Sequence, residues 1–396
     1  MRVASVRLEV LEVPFRATLE TAGARWQQAR LTLVVLRTDD GFEGLGEAAS
    51  DAHVSDLPAT VDPWAGADLA GDLSAALHDA LAGLDLVEGG AVAERLTAID
   101  TWPGVGRALR SAVATARVDA LARAEGRSAA AWLADGAIPG APLRFLVSPP
   151  AFDVAINALV GIAEPEVAAA EARQLVEIGF ACLKLKGGAE DPGVLARRVA
   201  AVRESVGPFA SLRLDLNGAL DEGAAISLLV ELEPYRLEYV EQPIAAAAGV
   251  EAMARLRRRV STPIAADEAV TDLAAVRAIA AAGAADVIVV KPGRVGGLAQ
   301  AARIVDLAVA TDTRVTVATL FESGVGVAAA LHLAASVPGD HAHGLSTAGL
   351  LASDLLTEAL PIHGGRMAVP SGPGLGVAID PLTVERYRVR QGARRA

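Results

Sequence analysis

Two kinds of hydrophobic pattern divide the chain. Up to about residue 60, apolar and polar residues alternate in short runs, VASVRLEVLEV and LTLVVLRTDDGFEGLGEAA, separated by the polar stretch TAGARWQQAR. Alternation with period two predicts strands, and DDG between apolar runs predicts a hairpin. From 66 to 136 the apolar positions recur every three to four residues, as in DLSAALHDALAGL and VGRALRSAVATARVDALARAEG, which predicts helices. Residues 1–135 therefore read as an α+β domain.

Beyond it the pattern changes. Short strand-like apolar runs end near Leu159, Lys186, Leu216, Glu241, Asp267, Lys291, Leu320 and Leu345. Helical segments such as PEVAAAEARQLVEIG, DPGVLARRVAAVRESVG, GAAISLLVELEPY and DLAAVRAIAAAGA lie between them. A strand and a helix alternating about every 25–30 residues predict an α/β fold, a TIM-like (β/α)7β barrel, over residues 136–360. The Gly- and Pro-rich segment 361–396, ending VERYRVRQGARRA, is expected to return to the N-terminal domain and complete it.

Composition sharpens this picture at one point. Of 36 Lys plus Arg residues only three are lysine, Lys184, Lys186 and Lys291, and they sit in ACLKLKGG and ADVIVVKPG, apolar runs that end in Gly or Pro. Arginine fills the ordinary cationic roles, so the surviving lysines mark places that need an amine able to lose its proton, which arginine cannot do. A net charge of -12 argues against nucleic acid as a partner. The lone Cys182 permits neither an intrachain disulfide nor a cysteine-based zinc site. With no signal-peptide pattern at the start and no apolar run of membrane-spanning length, a cytoplasmic protein with no membrane partner is expected. Self-association as a homo-oligomer is compatible with these features.

Active sites of such barrels lie at the carboxyl ends of the strands. There the sequence places Lys184 and Lys186, then Arg213, Asp215 and Asn217, then Glu241, then Asp267 and Glu268, then Lys291. Successive intervals from Lys186 are 29, 26, 26 and 24 residues, one strand–helix unit each. Strand alternation puts Lys184 and Lys186 on one face. Asp215, Glu241 and Asp267 then converge from three consecutive strands, with Lys186 and Lys291 on opposite walls. Three clustered carboxylates repel one another unless a cation lies among them, and all-oxygen donors suit a hard divalent ion, Mg²⁺ first. Such an ion stabilises an enediolate, and a desolvated lysine beside it can serve as general base. The chemistry indicated is removal of a proton alpha to a carboxylate, with a small carboxylate as substrate.

Each residue alone has a plainer reading. A strand-end carboxylate is commonly a helix cap, and Lys-x-Lys can be a solvated edge strand. Lys291 before Pro292 can simply reach to solvent, GRVGGL can be a tight turn, and His341 and His343 read as loop residues. Only the joint spacing resists these readings. The His residues show no metal-ligand spacing, and no GxSxG, P-loop or dinucleotide fingerprint is present.

With GFEGLGEA, KLK, DLN, EQP, DE and VVKPGRVGGL in this order, the chain resembles the enolase superfamily, in its muconate-cycloisomerase-like subgroup, over nearly its whole length. The resemblance implies an N-terminal capping domain on a barrel. It implies Mg²⁺, with Mn²⁺ as a substitute, held by Asp215, Glu241 and Asp267, and Lys186 and Lys291 on the two faces of the substrate. INALVG, FESGVG and HGLSTAGLLASDLL are most similar to the o-succinylbenzoate synthases of menaquinone biosynthesis. Those enzymes dehydrate 2-succinyl-6-hydroxy-2,4-cyclohexadiene-1-carboxylate to 2-succinylbenzoate. There the lysine matching Lys186 removes the proton and assists loss of water, while the one matching Lys291 acts as a cation. Lys184 is expected to hold the substrate carboxylate or to depress the pKa of Lys186, without transferring protons itself.

Arg213, Asn217, Asn157, Glu322 and Ser323 are the implied substrate-binding residues, with Thr21 from the covering segment 18–30, where Arg25 and Trp26 also lie. A second cover is expected around residues 50–60. N-acylamino acid racemases share the same lysines, and a muconate-type cycloisomerase is a further alternative. Dipeptide epimerases carry Asp-x-Asp where this chain reads HGLSTAGLLASDLL. A non-catalytic binding protein would have no need of two opposed amines. PGAPLRFLVSPPAFD is longer than the family pattern, which bears on where the first barrel strand begins.

Overall fold

A computed structural model describes residues 1–20, 25–49, 69–102, 105–136, 138, 143–188 and 190–389. The alternating N-terminal runs form an antiparallel sheet of β1 (Val3–Glu20), β2 (Arg25–Thr38) and β3 (Glu43–Ala49). The β2–β3 hairpin turns at Asp39-Asp40-Gly41, where Gly41 takes φ 89° and Thr38 N donates to Phe42 O. Of the polar stretch TAGARWQQAR, residues 25–30 are strand and not a loop between strands. They belong to β2, with Trp26 paired to Leu19 and Gln28 to Pro14. Neighbour pairing across a long hairpin carries the polar residues along despite their lack of apolar alternation. Thr21 lies outside the described residues, as does the second predicted cover around 50–60.

Helices α1 (Leu69–Leu81), α2 (Gly89–Asp100), α3 (Gly106–Ala124) and α4 (Ala129–Ala134) follow. Buried α3 packs directly on β3, and the glycines of GFEGLGEA make this possible. A Cβ on Gly44 would lie 1.9 Å from Ala116 O, and one on Gly46 would lie 1.9 Å from Ala112 O. Gly46→Ala should therefore destabilise the protein by about 3 kcal/mol, the upper end for overpacking. Urea unfolding monitored by circular dichroism checks this, because an unchanged midpoint would show that the two elements separate without cost.

Seven parallel strands come next, each followed by at least one helix. They are β5 (Ala158–Val160), β6 (Cys182–Lys186), β7 (Ser211–Asp215), β8 (Tyr239–Glu241), β9 (Ile264–Ala266), β10 (Val287–Val290) and β11 (Arg314–Val317), in that spatial order. The helices are α5 (Pro165–Glu177), α6 (Pro192–Val206), α7 (Glu222–Leu232), α8 (Val250–Arg257), α9 (Leu273–Ala282), α10 (Pro292–Val295), α11 (Leu298–Ala310) and α12 (Gly324–Ala334), two of them after β10. Asp191, Asp221, Asp272 and Ser323 cap the N-termini of α6, α7, α9 and α12. The eighth predicted strand is short. His343 bridges Ile156 and Gly344 bridges Ala318, both in parallel, so residues 343–344 join the two edges of the sheet.

The alternation sorts the strand residues into two sets. Leu183, Leu185, Leu212, Leu214, Val240, Ile288 and Val290 belong to the large core shared with the surrounding helices. Tyr239, Ala265, Val287, Val289 and Ala318 form a separate small cluster inside the barrel. Lys184, Arg213 and Tyr239 lie in register across β6, β7 and β8, and Lys186, Asp215 and Glu241 form the next inward-facing layer toward the strand ends.

The long segment before the barrel leaves β5 where the sequence reading put the first strand. Arg144 N and Phe145 N donate to Asp306 Oδ1, and Val147 N and Ala151 N to Ser336 O and Ala335 O, so it lies against the outer helices. β4 (Asp153–Ala155) pairs with β13 (Arg366–Ala368), which pairs with β12 (Ile362–His363). α13 (Pro381–Tyr387) then leads to Val389, whose N donates to Val10 O of β1. Among the described residues no helix is long and apolar enough to cross a membrane.

Candidate active site

At the strand ends the sequence brings six charged groups together. Lys184 Nζ lies 2.8 Å from Asp215 Oδ2 and 2.7 Å from Glu241 Oε1. Lys186 Nζ lies 2.7 Å from the same Asp215 oxygen and donates to Asn217 Oδ1 at 3.2 Å. Lys291 Nζ lies 2.6 Å from Asp267 Oδ2. β6 and β10 are four strands apart in a sheet whose edges are joined by residues 343–344, which sets Lys186 and Lys291 on opposite walls.

Burial and charge compete here. Burial raises the Asp215 carboxyl, but Lys184 and Lys186 outweigh it and hold the group far below the usual carboxylate range. Asp267 is likewise held low, with Arg294 and Lys291 overcoming burial. Burial lowers the Lys184 ammonium, yet Asp215 and Glu241 keep it well above its ordinary value. Glu241 goes the other way, because burial and the charge of Asp215 push its carboxyl up. Glu268 is raised by burial and by Asp267, and its Oε2 is buried with no partner.

These observations bear on a metal. Among the described residues, no three His, Cys, Asp or Glu side chains are gathered into a ready-made cation cage. Lysine and arginine nitrogens lie against the carboxylate oxygens instead. The donor set nevertheless fits a hard divalent ion, since Asp215, Glu241 and Asp267 are fully buried oxygen donors from adjacent strands. The raised carboxyls and the orphaned Glu268 oxygen show more buried carboxylate than the ammonium groups satisfy.

Two participants were not singled out from the sequence. Arg294 Nη1 donates to Asp267 O at 3.1 Å and also reaches Asp267 Oδ1. Its position three residues after Lys291, on the one-turn helix α10, was the available signal. Gln242 is fully buried at φ 40°, with Oε1 accepting from Asp267 N at 3.1 Å and Ala269 N at 3.2 Å and Nε2 donating to Ile244 O. It thereby fixes how the chain leaves β9. Asn217, at φ 45°, links Lys186 to Glu268 through its amide. Such left-handed backbone at non-glycine residues is costly and occurs where a site over-determines the conformation.

The proposed substrate-binding residues separate into groups. Asn217 joins the lysine–carboxylate cluster. Arg213 is fully buried one layer deeper, paired to Glu238 at 2.8 Å, with Nη1 on Asn157 Oδ1 at 3.3 Å and its guanidinium 4.7 Å over the Tyr239 ring. Arg213 and Asn157 thus hold one another inside the barrel. Ser323 is the cap of α12, its hydroxyl donating to Glu47 Oε2 of β3 at 2.8 Å, and Glu322 Oε2 accepts from Leu320 N.

The remaining motifs take structural places. Gly297 of GRVGGL sits where a Cβ would lie 2.6 Å from Ala114 Cβ, so this turn is shaped by contact with α3. His343 Nδ1 accepts from Val317 N at 2.9 Å, and His341 Nε2 lies against Val315 O. Both brace the barrel closure. Buried Cys182 has its thiol pushed up to about 12, chiefly by burial.

Residues 167–383 match the family described as enolase C-terminal domain-like. The chain is 38% identical over 252 residues to an o-succinylbenzoate synthase of Thermobifida fusca, covering 61% of this chain and 75% of that protein. It is 32% identical over 399 residues to an N-succinylamino acid racemase of Thermus thermophilus, covering 99% and 98%. It is 31% identical over 393 residues to muconate cycloisomerase 1 of Rhodococcus opacus, covering 98% of each. The solved dipeptide epimerase of Cytophaga hutchinsonii, complexed with Mg and D-Ala-L-Val, aligns at TM-score 0.85 and 22% identity, over 98% of this chain and 99% of that one. At that identity the structural likeness speaks for the fold.

Proposed function

Because this chain belongs to the enolase superfamily, in its muconate-cycloisomerase-like subgroup, we propose that it is a Mg²⁺-dependent o-succinylbenzoate synthase serving menaquinone biosynthesis. The observation that carries the chemistry is the pair of ammonium groups on opposite barrel walls, each against a buried carboxylate at the end of the neighbouring strand. The choice of reaction follows the resemblance of INALVG, FESGVG and HGLSTAGLLASDLL to the synthases, and a synthase is among the relatives, at 38% identity over 252 residues.

In this reading Asp215, Glu241 and Asp267 would hold Mg²⁺, which supplies positive charge against the negative charge developing on the substrate carboxylate. Lys186, as the free amine, takes the proton from the carbon beside that carboxylate. The resulting ammonium returns the proton to the departing hydroxyl, which leaves from the same face as water. The electron pair from the broken C–H bond completes an aromatic ring, so the driving force is large. Lys291 stays protonated on the opposite face and offers a fixed charge to the intermediate. Lys184, held between Asp215 and Glu241, keeps a second cation beside Lys186.

The runner-up is N-succinylamino acid racemisation. The racemase relative aligns along nearly the entire chain, and opposed lysines suit a two-base reaction. Either reaction requires the metal. After chelation, loss of the cyclohexadiene absorbance should cease, and added Mg²⁺ should restore it. Full turnover in metal-free protein would remove the role given to the three carboxylates.

A further inference from the structure

Glu47 lies on β3 of the N-terminal sheet, yet all its recorded polar contacts are with the barrel. Oε1 accepts from Ser323 N at 2.8 Å, and Oε2 accepts from Ser323 Oγ and Gly326 N, each at 2.8 Å. These donors belong to the cap and first turn of α12, where helix N–H groups lack intrahelical partners and the dipole favours an anion. The side chain is buried, and burial pushes its carboxyl up to about 8, against the pull of the Ser323 N–H and with the Glu322 charge adding to the rise. Two oxygens here hold three donors, more than the single acceptor oxygen of a Gln or Asn side chain would serve in the same geometry, so a carboxyl in this place calls for a reason.

The reason lies in what the turn packs against. Glu322 immediately precedes Ser323. A Cβ on Gly326 would lie 2.4 Å from Glu322 Cβ and 3.3 Å from Glu47 Oε2, and one on Gly293 would lie 2.8 Å from Glu322 Oε1. Glu322 is thus wedged between the first turn of α12, which Glu47 grips, and Gly293, two residues after Lys291. On the other side of β3, the contacts of Gly44 and Gly46 with α3 leave that strand little freedom to shift. A continuous set of close contacts therefore runs from α3 through β3 and Glu47 to Glu322 and the turn that carries Lys291.

We propose that Glu47 is a positioning residue through which the N-terminal sheet sets Glu322 and, by way of Gly293, the Lys291 turn. The proposal rests on the reading of Lys291 as the lysine facing Lys186. It requires Glu47 to act through Glu322, which distinguishes it from a general stabilising contact.

Two measurements on the full chain test it. In hydrogen exchange followed by mass spectrometry, Glu47→Gln should speed exchange at residues 320–326 and also at 292–297. Faster exchange confined to 320–326, or none, would overturn the proposal. This readout needs no substrate, so it stands or falls apart from the reaction assignment.

In kinetics with whichever substrate is turned over, Glu47→Gln should lower kcat at least 10-fold with KM within about 3-fold and Mg²⁺ affinity retained. The same change in a Glu322→Gln background should cost less than about 2-fold more, the signature of residues acting as one unit. Additive losses in the two backgrounds, or wild-type kcat in Glu47→Gln, would contradict it. Should Glu47→Gln fail to fold, Glu47→Asp keeps the charge while withdrawing the carboxylate by one methylene, and the same two readings apply.

Discussion

Lys186→Arg should reduce kcat by about 10³-fold, within the range that a general acid–base residue contributes. Arginine keeps the positive charge beside Asp215 but does not give up its proton at accessible pH, so the charge survives while the base is lost. Lys184→Arg is the matched control. Lys184 shares the Asp215 oxygen and also holds Glu241, and in this account it contributes charge alone. A guanidinium there should cost only about 10-fold, through imperfect fit in a buried space. Steady-state kinetics on both variants decides the matter, because equal and complete losses would end the division of labour between the two lysines.

Glu241→Gln should abolish the response to metal while leaving the fold intact. The carboxyl of Glu241 is already raised by burial and by Asp215, so a neutral amide of the same shape costs the metal-free protein little. Lys184 retains Asp215 as a partner. In wild type, Mg²⁺ at 100 times its dissociation constant should add about 2.7 kcal/mol of stability, read as a rise in Tm. The variant should show no such rise and about 10³-fold lower activity, since a metal contributes several kcal/mol to stabilising developing charge. An undiminished Mg²⁺-dependent rise in Tm would place the ion elsewhere.

Much of this site was legible because the sequence isolates it. With only three lysines in the chain, each in an apolar run, Lys184, Lys186 and Lys291 stand out against a background of arginine. The strand–helix period then supplies the register that brings Asp215, Glu241 and Asp267 beside them. Alternation identifies the face of a strand but not the depth of a side chain. The resemblance implies Arg213 as a substrate-binding residue, and only the structure shows that it lies one layer below Asp215, paired to Glu238. Gln242 escaped notice because its role is to hold the backbone amides of Asp267 and Ala269, which no charge pattern reveals. Glu47 escaped because its partners lie more than 270 residues away in the chain. The hairpin covering Arg25–Arg30 was missed because cross-strand pairing, not alternation, holds it as a strand.

The claim that this barrel dehydrates rather than racemises is tested by one comparison. Both reactions begin with the same proton abstraction and both need the two lysines, so loss of turnover in a lysine variant does not separate them. The ratio of kcat/KM values does. Wild-type protein with Mg²⁺ should convert 2-succinyl-6-hydroxy-2,4-cyclohexadiene-1-carboxylate to 2-succinylbenzoate with a kcat/KM at least about 10²-fold above that for racemising any N-succinylamino acid, a preference of roughly 2.7 kcal/mol. An inert cyclohexadiene precursor together with efficient racemisation would contradict the assignment.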